Sequence, residues 1–293
     1  METSKLLEFL GFSKSQDRKR TGHMNMLKRT LTAMVLIPLV VTAILYFPRI
    51  WFFALIQAII LAALVEFYNL PRRKKMFPKK GLGVSVALIF AASFYFPSFS
   101  IMTALFAGLV LCAFYYVLTV NDLDKLAFFP ASMALTYFGA VYVCFTLNHI
   151  IWLRDRHDPL LILYLLAVIF IGDTGAMLVG RWLGKHKMTP LASPNKTWEG
   201  SIGGLVMGAA GGLAFQQLFF PADAVMWKVV VFALLLQMIA QVSDPFESLF
   251  KRASGVKDSS NLLPGHGGFF DRVDSLILAI PLFYYLLEYI GMQ

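Results

Sequence analysis

Asp244, Glu247, Asp271 and Asp274 fall in one thirty-one-residue stretch, 244–274, together with Lys251, Arg252, Lys257 and Arg272. Carboxylate oxygens are the hard ligands that Mg²⁺ takes, and clustered cations hold phosphates. Gly265, Gly267 and Gly268 surround His266, in a loop whose backbone N–H groups can turn toward an anion. This set predicts metal-assisted chemistry on a phosphorylated substrate. Apolar runs of membrane-spanning length lie on both sides, and a charge in lipid costs several kcal/mol. The stretch is therefore an aqueous loop or the polar end of a buried site, and its composition favours the site.

Each residue has a plainer reading beside the chemical one. Asp244-Pro245-Phe246-Glu247 has the form of a helix cap, which bears more on Glu247 than on Asp244 at the end of a span. Asp271 and Asp274 would share one face if a helix begins there, and Arg272 offers them a surface salt bridge. Two like charges at a membrane boundary are costly without a cation, which favours a metal for Asp271. His266 could be an acid/base, a phosphate donor or a loop-shaping hydrogen bonder, and phosphate contact is favoured.

Upstream, Asp173 lies inside the apolar run FIGDTGAMLVGRWLG, about two turns from its end by helical rise. An ionisable residue at that depth is a functional expectation; the alternative is a structural pair with Arg181 or a lysine. Gly172 and Gly175 allow a close helix or substrate approach. Gly175 and Gly180 have the spacing that opens a P-loop, but Arg181 and Trp182 stand where Lys and Ser/Thr are required, so that reading is rejected. In GKHKMTPLASPNKTWEGS, 184–201, Ser193-Pro194 predicts an N-cap followed by proline at the first helical position. A helix start carrying Asn195, Lys196 and Thr197 is also a phosphate site. Glu199 could pair with Lys196 or reach a metal through water, and His186 reads as a polar loop residue.

The elements that must position these groups are membrane helices. The chain has 293 residues, 58% hydrophobic and 15% charged, with the apolar excess in runs near twenty residues. We predict an all-α polytopic membrane protein with about nine spans: 30–47, 50–67, 81–97, 101–120, 126–147, 159–180, 201–220, 225–243 and 275–290. Pro48, Pro71, Pro97 and Pro221 punctuate the junctions. A basic segment, 1–29, precedes a transmembrane region, 30–158, and a catalytic region, 159–293, that carries the polar loops 181–200 and 244–274. No cleavable signal is expected, because 1–29 lacks an apolar core. With a cytoplasmic N-terminus, all but Arg49, Arg154, Arg156 and Lys228 of the 26 Lys and Arg fall inside, a strong positive-inside pattern. Topology therefore explains the net charge of +9 without a nucleic-acid partner. Arg72-Arg73-Lys74-Lys75 with Lys79 and Lys80 could also touch anionic headgroups. Cys112 and Cys144 read as ordinary buried thiols.

The pattern Ser248, Phe250-Lys251-Arg252, Lys257-Asp258, Ser260, Leu263-Pro264, His266-Gly267-Gly268 and Asp271-Arg272-Val273-Asp274 resembles the phosphatidate cytidylyltransferases (CDP-diacylglycerol synthases). The segment from Asp173 to Gly200, with Ser193-Pro194, Lys196-Thr197 and Glu199-Gly200, is similar to a second shared region of that family; Met177 stands where the family often has an aromatic. The resemblance implies an integral membrane enzyme that joins CTP to phosphatidate with Mg²⁺, giving CDP-diacylglycerol and pyrophosphate. It also implies a paired metal centre at Asp244 and Asp271, with a second, monovalent cation such as K⁺. On this reading Asp173 helps hold or orient the metal. Lys196, Lys251, Arg252, Lys257 and Arg272 hold phosphates, and His266-Gly267-Gly268 steadies pyrophosphate. Ser193, Asn195, Thr197, Glu199 and Ser248 complete the substrate contacts. The site would face the cytoplasm, at the inner membrane in a bacterium, and the wide apolar first half is compatible with a homodimer. Two other functions stay open. A CTP-dependent transferase acting on a polyprenol-type alcohol would require a base. An anion transporter would require paired broken helices in two related halves, and the sequence has no visible repeat.

Overall fold

Long apolar runs satisfy their backbone groups internally as helices, the open solution for a chain in lipid. The computed structural model describes residues 34, 37–71, 77–219, 225–260, 262 and 267–291. Among them the helices are α1 (Ile37–Tyr46), α2 (Arg49–Asn69), α3 (Lys80–Tyr95), α4 (Ile101–Thr119), α5 (Leu123–Gly139) and α6 (Thr146–Arg156). A π-helical segment, Ala140–Phe145, joins α5 to α6. Then follow α7 (Leu160–Leu183), α8 (Trp198–Phe219), α9 (Met226–Ala253) and α10 (Phe270–Tyr289). Each expected span with described residues overlies a helix. Among the described residues, six rods are long and apolar enough to cross a membrane: α2, α4, the joined α5–α6, α7, α8 and α9.

Three local expectations are corrected. Asp244 and Pro245 do not end a helix, because α9 runs on to Ala253 with Pro245 inside it. Proline lacks the N–H that would bond four residues back, and the carbonyl oxygen left over, on Gln241, instead accepts from Lys196 Nζ at 3.5 Å. The polar loop of 244–274 therefore shrinks to 254–269. Ser193-Pro194 does not start a helix either. Lys187–Thr189 (β1) and Ser193–Thr197 (β2) form a small antiparallel hairpin, the one sheet among the described residues of an otherwise helical fold. Helix α8 begins at Trp198, and its cap is the Thr197 hydroxyl, which accepts from Gly200 N at 3.2 Å.

One core joins α2, the π segment, α6, α7, α9 and α10, centred on Phe67, Tyr68, Tyr164, Phe232, Phe270 and Phe283. A smaller one ties α3 and α4 to the π segment through Val86, Phe90, Cys112 and Tyr116. Helix α4 leaves Met102, Phe106, Phe114 and Val117 exposed, as a lipid-facing helix would. Helices α7 and α8 pack through small residues, which let backbones approach. A Cβ on Gly204 would stand 2.9 Å from Ala176 Cβ and 3.0 Å from Gly172 O. Gly204→Leu is accordingly expected to destabilise the protein by about 1–3 kcal/mol through overpacking, read as a lower Tm in detergent. An unchanged Tm would contradict this packing.

The two ends of the bundle differ in charge. Arg49 pairs with Asp155 at 2.8 Å, Arg154 donates to the Ile44 carbonyl at 2.8 Å, and Arg156 covers Trp152 at 4.4 Å. These arginines, which the charge pattern assigned to the outside, share one end of the bundle. The polar loop, the hairpin and their lysines share the other.

Candidate active site

At that second end, α9 presents Asp244 and Glu247 three residues apart on one continuous helix, and α10 contributes Asp274 from its opening turns. One carboxylate oxygen from each lies within 4.8 Å of the others. Glu247 is fully buried, and its Oε1 has no hydrogen-bond partner. Acceptor-only oxygens from three carboxylates, one of them unpartnered in the interior, fit a hard cation such as Mg²⁺.

Asp271 lies outside this trio. Lys251 Nζ stands 2.5 Å from Glu247 Oε2 and 2.7 Å from Asp271 Oδ1, so its ammonium bridges the two buried carboxylates. Asp271 Oδ2 also accepts from Ser259 N at 2.9 Å, Ser259 Oγ at 2.8 Å and Gly268 N at 2.9 Å. The amide of Gly268 thus serves Asp271. Gly267 adopts φ +79, a conformation open to glycine, where a Cβ would meet Asp271 Oδ2 at 2.8 Å. These glycines fold the loop closely over the acidic residues.

Glu66, near the end of α2, is a residue of this site that the sequence analysis passed over. It is 5% exposed. It accepts from Ser260 Oγ at 2.7 Å and Phe270 N at 2.9 Å, and stands 2.9 Å from Ser259 Oγ, whose one proton it shares with Asp271. It therefore ties the loop to the first half of the chain and satisfies an otherwise open amide at the start of α10. The signal was available: an acidic residue inside an apolar span is unusual. Each of its bonds involves a charge and is worth roughly 1.5–3 kcal/mol. Glu66→Ala is expected to lower turnover at least about tenfold and to speed tryptic cleavage at Lys257, with unchanged kinetics and cleavage as the contradicting result.

The second half of the site is a cavity of about 630 Å³ between α7, the hairpin, the start of α8 and α9, within the range of about 300–1,000 Å³ usual for small-molecule sites. Asp173, Arg181, Lys187, Asn195, Lys196, Thr197 and Asp244 line it. Lys196 Nζ is 2.7 Å from Asp244 Oδ2. Asp173 does not pair with Arg181. Instead Gln237 Nε2 donates to it at 3.2 Å and Ser275 Oγ at 3.4 Å. Glu199 pairs neither with Lys196 nor with the acidic trio; it accepts from the Lys185 amide at 3.1 Å and lies 2.6 Å from His186 Nδ1. Its position holds the turn into the hairpin.

The remaining expected residues fall around this centre. Arg252 reaches across to the hairpin, with Nε donating to Ala192 O at 3.3 Å. Lys257 and Arg272 are exposed and make no ion pair among the described residues. Ser248 is buried on α9 and Ser193 half-buried in β2. His266 lies outside the described residues, as do Arg72 to Lys75.

A model of the cytidylyltransferase family matches residues 27–290, nearly the whole chain. The chain belongs to the cytidylyltransferase family. Among curated relatives, a phosphatidate cytidylyltransferase of Pseudomonas aeruginosa is 32% identical over 263 residues, covering 89% of this chain and 96% of the relative. One of Staphylococcus saprophyticus is 38% identical over 170 residues, 58% of this chain and 64% of the relative. One of Brucella suis is 48% identical over 123 residues, 42% of this chain and 45% of the relative. The chain therefore spans under two thirds of the length of the Staphylococcus and Brucella relatives it matches. The family model includes both parts of the site, from Glu66 to Asp274.

Proposed function

We propose that this chain transfers the cytidylyl group of CTP to phosphatidate at the membrane boundary, releasing pyrophosphate and forming CDP-diacylglycerol for phospholipid biosynthesis. The observation that carries the reading is Asp244, whose carboxylate belongs both to the cavity and to the acidic trio. A nucleotide in the cavity would have its phosphates beside Lys196 and within reach of the groups suited to a divalent cation. The names of the relatives supply the acceptor, since each is a phosphatidate cytidylyltransferase.

In the transfer, a phosphate oxygen of phosphatidate forms a bond to the α-phosphorus of CTP. The bond from that phosphorus to the bridging oxygen breaks, and the electron pair leaves with pyrophosphate. A phosphate monoester has its second pKa near 6, so the attacking oxygen is already anionic at neutral pH and needs no strong base. The work left to the protein is positioning and charge neutralisation. Lys196, with Arg181 and Lys187, would hold the triphosphate in the cavity; Arg252, Lys257 and Arg272 would meet the lipid phosphate at its mouth. Lys251 and Asp271 keep Glu247 in place, and Asp173 orients the cavity wall beside Asp244. Asp244, Glu247 and Asp274 would hold Mg²⁺, which supplies positive charge to the phosphoryl oxygens when bound. A monovalent cation such as K⁺ beside Asp271 joins the proposal on the family resemblance. The charge pattern supports nine crossings, a cytoplasmic N-terminus and a cytoplasmic site, where CTP is available.

The acceptor is tested with CTP labelled with phosphorus-32 at the α position. Label should pass into the organic phase with phosphatidate, and none should pass with a polyprenol. Transfer to the polyprenol instead would move the enzyme to an alcohol acceptor.

A further inference from the structure

Gln237 lies near the middle of α9, seven residues before Asp244, which is about two turns and so nearly the same helix face. It is fully buried. Its carboxamide occupies a slot left by two glycines. A Cβ on Gly172 of α7 would collide with the carboxamide, and one on Gly208 of α8 would stand 3.3 Å from Gln237 Cγ. Three helices thus hold the side chain in place. In that slot Nε2 donates to Asp173 Oδ1 at 3.2 Å. The other oxygen of Asp173 stands 3.4 Å from Ser275 Oγ, which is also 3.4 Å from Asp274 Oδ1. A line of polar groups therefore runs from Gln237, through Asp173 on the cavity wall, to the acidic trio.

Stability does not account for a glutamine here. Its Oε1 has no hydrogen-bond partner among the described residues, and a buried acceptor left unmet is costly. Methionine would fill a similar space without that cost. What the amide does supply is a donor to a half-buried carboxylate, a group that only accepts when ionised. We propose that Gln237 is a positioning residue, its Nε2 fixing the carboxylate of Asp173 on the wall of the nucleotide cavity beside Asp244. The inference rests on the placement of CTP in that cavity. Gly172 and Gly208 then do more than bring helices together, since they make the room in which the amide is held.

The test is a double-replacement cycle on purified full-length protein in detergent. It is read as transfer of label from α-labelled CTP to phosphatidate per folded molecule, with a melting curve beside each variant. Gln237→Met removes the amide and keeps most of the bulk; Gln237→Leu is a second variant with the same expectation. Gln237→Met should lower kcat/KM for CTP roughly ten- to hundredfold, the scale of one hydrogen bond to a charged group. The KM for phosphatidate should stay as it was, and the Tm should equal or exceed the parent's. Asp173→Ala should lose at least as much activity, and adding Gln237→Met to it should cost nothing further, because the amide acts through that carboxylate. A residue that only fills space would lower the Tm and leave the rate per folded molecule intact. With Asp173→Ala impaired, a full rate in Gln237→Met, or a loss that multiplies with that of Asp173→Ala, would overturn the role of Gln237 alone. A normal rate in Asp173→Ala would overturn the cavity reading and this inference with it.

Discussion

Asp244→Asn is expected to lower cytidylyl transfer by about 10³-fold, the scale of losing one preorganised electrostatic group at a reacting centre, while the protein remains folded. The two halves of this expectation have separate causes. Asparagine keeps the shape of the side chain but removes the charge that faces Lys196 at 2.7 Å and that Asp244 adds to the cluster with Glu247 and Asp274. The Lys196–Asp244 pair is partly exposed, with 26% and 30% of the side chains accessible. Pairs of that kind contribute little to stability, so the Tm in detergent should move by a few degrees at most. Initial rates at saturating Mg²⁺ together with a melting curve separate the two effects. A rate within tenfold of the parent would remove Asp244 from the centre of the site.

Lys251→Met should have the opposite balance, a large loss of both stability and activity. The Lys251 side chain is 8% exposed, and its ammonium stands between the side chains of Glu247, 0% exposed, and Asp271, 6% exposed. Removing it leaves two carboxylates in the interior without their shared cation, and breaking a buried pair typically costs about 3–5 kcal/mol. The informative variant is the double replacement of Lys251 by Met and Glu247 by Gln. Replacing a buried pair by uncharged groups of similar volume is often close to neutral for stability. The double variant should therefore recover much of the Tm lost by Lys251→Met and none of the activity, since it still lacks a carboxylate of the trio. Full recovery of activity would show that this ion pair serves folding alone. Failure to recover stability would mean that the repulsion between Glu247 and Asp271 is not what Lys251 relieves.

Much of this centre is visible in the residues themselves. The stretch 244–274 contains the trio and its bridging lysine, and 173–200 contains the cavity wall. Residue type and membrane-boundary position are enough to mark both, because ionised groups between apolar runs need a reason to be there. What the sequence hid follows from tertiary contacts. Glu247 read as part of a cap because Pro245 read as a helix start, whereas α9 carries the proline internally and Lys196 answers the carbonyl it frees. Asp271 and Asp274 do lie in the opening turns of one helix, the condition under which their spacing would put them on one face, but they enter different networks. Asp271 meets Lys251, and Asp274 meets Asp244 and Glu247. Glu66 joins the site across a separation of 193 residues from Ser259, and no local pattern announces contacts at that separation. The helix start at Ser193 failed for a related reason: capping residues fit a strand end as readily when a hairpin partner, here Lys187–Thr189, is present.

The measurement that bears most directly on the central claim is pyrophosphate release from purified, detergent-solubilised protein given CTP, phosphatidate and Mg²⁺. Parallel reactions would replace CTP by ATP, phosphatidate by diacylglycerol, and Mg²⁺ by EDTA. The account predicts release only where CTP, phosphatidate and Mg²⁺ are present together. Release that persists in EDTA would contradict the metal site, and folded protein silent in every reaction would contradict the transfer itself.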